Sequence, residues 1–178
     1  MLIDLLKTPM ENFIDLVIDS NPGKTLTESQ FTTVGPVAVA EPVGTENTSI
    51  ELKAVLGEGY SNAVTFTYTR QALTAFVAEP ITEKVCDGDC EEATVLAELI
   101  EALGLMASEI EIDGALVLPT VDDETGINTT DGSVTIKAKA DSLLYVGSHT
   151  VALKAKVDPR LDVEFAVTGL DGFDAPIF

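Results

Sequence analysis

The chain has 178 residues, 30 of them acidic against 10 basic, for a formal net charge of -20. Phosphate backbones and anionic headgroups are held by clustered Lys and Arg, so this balance excludes nucleic acid and membrane surfaces as partners and suits basic partners or cations. A hydrophobic content of 46% marks a chain that folds, no apolar run is long enough to span a bilayer, and one histidine with two cysteines leaves little material for a transition-metal centre.

The first six residues, Met1-Leu2-Ile3-Asp4-Leu5-Leu6, lack a basic flank and carry an aspartate, so they do not read as a signal peptide. Thr8-Pro9-Met10-Glu11 is a capping-box pattern with proline at the first helical position. It predicts a helix over about 9–18, with Phe13, Ile14, Val17 and Ile18 on its apolar side, stopped by Asn21-Pro22-Gly23. Thr27-Glu28-Ser29-Gln30 repeats the capping pattern over a shorter turn. Residues 34–39 read as a strand interrupted by Gly35-Pro36, and therefore as an edge. Next comes the clearest element, a β-hairpin. Ile50, Leu52 and Ala54 alternate with Glu51 and Lys53; after Gly57-Glu58-Gly59-Tyr60-Ser61-Asn62, Val64, Phe66 and Tyr68 alternate with Thr65 and Thr67. Period-two alternation buries one face of a strand, and the glycines and asparagine supply a turn. Residues 72–79 read as a short helix or irregular connection.

The second half repeats this order. Leu96, Leu99, Ile100 and Leu103 form an apolar helical stripe over 92–103, closed by Gly104. Leu105-Met106-Ala107-Ser108-Glu109-Ile110 parallels Leu26-Thr27-Glu28-Ser29-Gln30-Phe31. Residues 115–119 stand where the first half has its edge strand, and 121–131 form a polar loop. A second hairpin follows: Val134, Ile136 and Ala138 on one strand, Val151, Leu153 and Ala155 on the other, with Tyr145 placed as Tyr60 is in the first. Pro159-Arg160-Leu161 parallels Arg70-Gln71-Ala72-Leu73, and 161–168 read as a further strand. The fold class expected is α+β, with two pseudo-repeated units, each a short helix packed on a small antiparallel β-sheet containing a hairpin. The boundaries are 1–79 for the first unit, 80–91 for an acidic linker with two cysteines, 92–168 for the second unit and 169–178 for a C-terminal tail.

Leu-Thr-x-x-Gln-Phe at 26–31, Asn47-Thr48-Ser49, Gly-x-Gly-Tyr at 57–60, Val-Thr-Phe-Thr-Tyr-x-Arg at 64–70 and Leu170-Asp171-Gly172-Phe173 occur here in that order. This series resembles a two-unit module of virion structural proteins in tailed bacteriophages, and it spans most of the chain. The second copy departs from the pattern, with Asp141-Ser142-Leu143-Leu144 in place of the Gly-x-Gly turn. The resemblance implies a particle component, on capsid or tail, without catalysis.

The residues that carry chemistry are few. Cys86 and Cys90 flank Asp87-Gly88-Asp89; they suit a small disulfide loop or a metal with outside ligands, with free thiols the default in a cytosolic assembly. The 86–92 stretch is expected to be exposed. Asp87, Asp89, Glu91 and Glu92, and separately Asp122, Asp123 and Glu124, are oxygen-rich, as calcium prefers, but neither run has the spacing of an EF-hand loop, and solvated loops suit so acidic a chain. His149 opens a strand, the place of a packed or hydrogen-bonded side chain. Tyr60 and Tyr145 are expected to pack over their hairpins. No nucleophile elbow or phosphate-binding glycine loop is present, so no catalytic, cofactor or metal residues are assigned.

The expectation is a non-enzymatic structural component of a bacteriophage virion, a capsid-bound accessory or decoration protein or a tail component, in multiple copies and touching other virion proteins. The apolar ends, 1–6 and Phe173, Ile177 and Phe178, supply contacts. The alternative is a receptor- or carbohydrate-binding β-module, calcium-dependent or not; an aromatic content of 6% without tryptophan weighs against it.

Overall fold

A computed structural model of the chain describes residues 2–40, 44–76, 83–86, 90–122 and 128–155. The fold is α+β, with two helices and small, mainly antiparallel sheets. In chain order the elements are α1 (Pro9–Ser20), β1 (Phe31–Ala38), β2 (Thr48–Ala54), β3 (Ala63–Tyr68), β4 (Gln71–Ala72), β5 (Glu83–Cys86), α2 (Glu92–Leu103), β6 (Ile110–Ile112), β7 (Thr120–Val121), β8 (Asn128–Thr130), β9 (Gly132–Ala138), β10 (Tyr145–Val146) and β11 (Ser148–Ala155).

Both helices follow from their ends. The Glu11 amide donates to Thr8 Oγ1 at 3.2 Å, and the Glu11 carboxylate accepts from the Thr8 amide at 2.7 Å, so two orphan donors of the first turn are satisfied. Glu11 is thereby held below the usual carboxylate range by the backbone hydrogen bond at Thr8. α1 runs two residues past the expected end, to Ser20, with the Asn21 amide bonded to the Ile18 carbonyl. α2 covers the expected span and closes on Gly104, whose φ of 62° places it in the left-handed region. The Leu105 amide then reaches back to the Ile100 carbonyl at 2.9 Å.

The first sheet has the order β1-β2-β3, all antiparallel. β1 is an edge, as its Gly35-Pro36 pair predicts; that peptide is cis, and the register shifts between Val34 and Val37. α1 covers one face of the sheet. Phe13 is 2% exposed and meets the rings of Phe66 at 6.4 Å and Tyr68 at 5.2 Å, while Ile50 and Leu52 lie beneath. Side chains of this size each contribute about 1.5–3 kcal/mol on full burial. Val64, expected on the inner face, is half exposed beside the hairpin tip.

The second sheet has the order β5-β11-β9-β6. β6, β9 and β11 are antiparallel, with Val134, Ile136, Val151 and Leu153 fully buried. Val95, Leu99 and Leu103 of α2 enter the same core. Within the stretch read as a linker, β5 pairs in parallel with β11 from Ala152 to Ala155, so the second sheet is mixed and its outer strand comes from the connection between the halves. Both first strands begin earlier than alternation suggests, at Phe31 and Ile110, directly after a 3-10 turn. The strand expected over 115–119 reduces to one bridge, Val117 to Ser133, before the β7–β8 pair. Its backbone presses on Gly132, where a Cβ would lie 2.2 Å from the Val117 carbonyl oxygen.

These two glycines are expected to separate cleanly in denaturant unfolding. Gly104→Ala meets no neighbour within 4 Å and carries only the left-handed backbone, a loss of about 1 kcal/mol. Gly132→Ala collides with backbone and is expected to cost several times more; equal losses would contradict the close approach of 117–119.

Candidate functional site

Among the described residues, four of the five buried polar ones, Thr48, Arg70, Glu109 and Ser142, come together where the tip of the second hairpin meets the end of the first sheet. Beyond Tyr68 the chain passes through Arg70 into β4, and β4 pairs in parallel with β10, Gln71 opposite Tyr145. The turn at Ser142, Leu143 and Leu144 is gripped from both sides. From its own half, one oxygen of Glu109 accepts from Ser142 Oγ at 2.7 Å, the Leu143 amide at 2.6 Å and the Leu144 amide at 3.1 Å. From the first half, Arg70 Nη1 donates to the Ser142 carbonyl at 2.9 Å, the Tyr68 hydroxyl to the Leu143 carbonyl at 3.0 Å and the Gln71 amide to the Leu144 carbonyl at 2.9 Å.

Arg70 is itself set in place. Its Nε donates to Thr48 Oγ1 at 2.7 Å, and Asn47 both accepts from its amide and donates to its carbonyl, at 2.9 Å each. Tyr145, fully buried, accepts from the Met106 amide and has the Phe76 ring edge-on at 5.5 Å. Burial pushes the Tyr68 hydroxyl up to about 12, and raises Tyr145 as well. Ser142 and Glu109 stand at hydrogen-bond distance, as a nucleophile and base would. Yet Ser142 is 1% exposed and the same carboxylate oxygen is held by two backbone amides, so the pair fixes a loop and offers no reacting centre.

Two grooves flank α1. The larger, about 430 Å³, lies between α1 and β3 and is lined by Ile3, Phe13, Phe66 and Leu144, among others. The smaller, about 230 Å³ and mostly apolar, lies beside the first hairpin tip and is lined by Leu26, Tyr60, Val64 and Phe66, among others.

The residues singled out in the sequence do not gather at any of these places. Cys86 and Cys90 are joined in a disulfide with Cα atoms 5.6 Å apart, in place of the free thiols expected. Both are half-buried against the core rather than exposed, Cys86 as the last residue of β5 and Cys90 just ahead of α2. Glu91 and Glu92 are exposed at the start of α2, while Asp87, Asp89, Asp123 and Glu124 lie outside the described residues, as do 161–168 and the ends at Met1, Phe173, Ile177 and Phe178. Asp122 is half-buried. His149 is half-buried on β11 opposite Ile136. Tyr60 is 45% exposed, its hydroxyl donating to the Thr25 carbonyl, whereas Tyr145 is covered. Among the described residues no group of three or more His, Cys, Asp or Glu is placed to hold a metal ion, and no helix is long and apolar enough to cross a membrane. Glu109, Thr48 and Ser142 carry no sequence signal of their burial; the nearest hint is that Glu109 occupies the place of Gln30 in the paralleled turns.

Residues 3–178 match the model of a family of unknown function (DUF7941), and the chain belongs to that family. No curated protein and no solved structure matches the chain.

Because Arg70 and Glu109 hold one turn from opposite sides, their effects on stability are expected to be coupled. Arg70→Met and Glu109→Gln should each cost about 2–3 kcal/mol by leaving buried groups unpaired, and the double variant should depart from additivity by more than about 0.5 kcal/mol. Strict additivity in denaturant titration would contradict the shared turn.

The tyrosines give a pH signature. A hydroxyl raised in the folded state binds its proton more tightly there than when unfolded, so its contribution is complete below about pH 10 and is lost as pH climbs towards 12. Thermal stability is therefore expected to fall over that window, less steeply in Tyr68→Phe. An unchanged slope in that variant would rule Tyr68 out as the source.

Proposed function

We propose that the chain is a non-enzymatic structural component of a bacteriophage virion, a capsid-bound accessory or decoration protein or a tail component, built from two diverged copies of one helix-plus-hairpin unit. The two-copy construction rests on matched backbone geometry. Phe31 and Ile110, each first after a 3-10 turn, face Ala54 and Ala138, each last in a central strand. Val37 and Val117 face Ser49 and Ser133. The Val55 amide bonds the Gln30 carbonyl, and the Lys139 amide bonds the Glu109 carbonyl, both at 2.9 Å. The side chains of Gln30 and Glu109 then each hold the hairpin tip above them.

The observation that carries the functional reading is how the polar residues are spent. The most buried of them, Arg70, Glu109, Ser142, Thr48 and Asn12, bond to backbone or to one another in ways that fix loops and junctions. A scaffold of this kind acts through its surfaces. Leu2, Leu6 and Leu56 are almost fully exposed, and Leu5, Val34 and Val37 half exposed. Apolar groups presented on a chain of charge -20 suit contacts with other virion proteins, while the acidic faces meet solvent or basic partner surfaces. The sugar-binding alternative needs clustered exposed aromatics, and Tyr60 is the one exposed aromatic among the described residues.

Mass spectrometry of purified particles is expected to find the chain in multiple copies per virion, in fixed proportion to the major capsid protein. Deleting residues 169–178 is expected to reduce incorporation while the remainder stays folded. Absence from washed particles would overturn the virion role.

A further inference from the structure

We propose that the outer edge of β3 receives, in parallel, the 161–168 segment of a second copy of this chain, so that copies join head to tail by donated strands. The inference deepens the structural role and rests on the two-copy reading. The two sheets differ by one strand. In the second, β9 and β11 lie between β6 and β5; in the first, β2 and β3 have β1 on one side and no described strand on the other. β3 is the counterpart of β11. The Ala54 amide bonds the Asn62 carbonyl at 2.9 Å, and the Ala138 amide bonds the Gly147 carbonyl at 3.0 Å, each just ahead of the returning strand. Bonded positions alternate along an antiparallel ladder. Val64, Phe66 and Tyr68 therefore bond towards β2, and Ala63, Thr65 and Thr67 turn their backbone groups outward. The same count turns Ala152 and Lys154 of β11 outward, where β5 takes them up. Ala63, Thr65 and Thr67 are exposed. Ile3, which stands ahead of α1 as Cys86 stands ahead of α2, is in no strand.

The order of segments selects the occupant. β5 follows the first hairpin, yet it joins β11 of the next unit and not β3 of its own. By the same rule the segment that follows the second hairpin joins the third strand of the next unit, which is β3 of another copy. Its sequence suits that place. Leu161, Val163, Phe165 and Val167 alternate with Asp162, Glu164, Ala166 and Thr168, so an extended chain here has one apolar side and one charged side. The apolar side has somewhere to go. The grooves of about 430 and 230 Å³ both reach Phe66 of β3, and Val64 is half exposed in the smaller one. In the second unit Cys86 of β5 packs against the core at the matching position. Residues 63–68 carry no charge, so the acidic side of the added strand meets no acidic neighbour on β3. Main-chain hydrogen bonds along an edge supply affinity, and pockets for alternate side chains set the register. A segment of one copy on a different surface of the next is a heterologous contact, which extends copy by copy.

Sedimentation of the full chain over a wide concentration range is expected to show reversible association into dimers and longer species. Thr65→Pro removes an outward N–H from the accepting edge, and Phe165→Asp puts a charge on the apolar side of the donated strand. Each variant, checked for folding by circular dichroism, is expected to weaken association at least about tenfold. Phe165→Asp leaves the first sheet untouched, so it carries the test should the proline unfold β3. Mixed, the two variants keep one intact edge and one intact donor between them, and are expected to form dimers and nothing longer. A photoreactive phenylalanine analogue at position 165 should crosslink to residues 63–68 of a differently isotope-labelled copy. A monomer at every concentration, association insensitive to Phe165→Asp, no dimer from two folded variants, or crosslinks confined to one chain would each overturn the strand donation. The two-copy reading fails separately, if an experimental structure gives the two halves different strand orders; the virion role fails separately, if particles lack the chain.

Discussion

A buried turn of three residues, held by hydrogen bonds from two directions, joins the halves of this protein. Ser142, Leu143 and Leu144 present their amides and hydroxyl to Glu109 and their carbonyls to Tyr68, Arg70 and Gln71. Removing either side would strand polar groups without water, which costs more than a hydrogen bond gains. Each half thus depends on the other for a satisfied interior. A carboxylate and a guanidinium can lie within the same junction because each has backbone partners of its own. The parallel pair β4–β10 continues the junction as sheet, and Phe76 and Leu73 continue it as apolar packing.

Around that junction the sheets are small and their edges are treated differently. β1 is broken by a register shift at Gly35-Pro36, β6 is three residues long, and β5 is four. Broken or short edges accept added strands poorly. β3, in contrast, is an uncharged six-residue edge beside the exposed tip. Acidic residues then dominate the solvent side, where Lys7 pairs with Asp15 and Lys137 with Asp113, each lysine raised by its partner. Such exposed pairs add little to stability. The fold rests on the apolar core and on the polar junction.

What the sequence made legible was local. Thr8 to Glu11 and Gly104 announce helix ends, because capping uses residues within one turn of each other. Both hairpins announce themselves by alternation, because a strand with one wet face has period two. Non-local pairings stayed hidden. Nothing in Glu83-Lys84-Val85-Cys86 shows that it will lie parallel to a strand about seventy residues later, and its charge suggested a linker. The disulfide stood as one option against free thiols, since a stretch read as exposed loop does not decide whether its two cysteines are held together. Val117 failed as a strand for a similar reason, because its single bridge depends on close approach to Gly132. Glu109 and Arg70 were the hardest, since a buried charge looks like any surface charge until its partners are known.

The placement of β5 also sets an order of events during synthesis. The first sheet is complete in sequence once Tyr68 has left the ribosome, since β1, β2 and β3 are consecutive. β5 emerges soon afterwards, but its partner strand β11 is the last described element of the chain. Arg70 has no turn to hold until Leu144 is out, and β5 has no complete strand to join until Ala155 is out. The N-terminal sheet can therefore pair first, as elements made early in translation tend to do, while Tyr68, Arg70, Gln71 and the connecting segment wait for their partners. The second half closes in a late step that adds its edge strand and buries the junction together. A nascent chain arrested before β11 would present an unfinished junction, the stage at which wrong pairing with a neighbouring chain is most open to it.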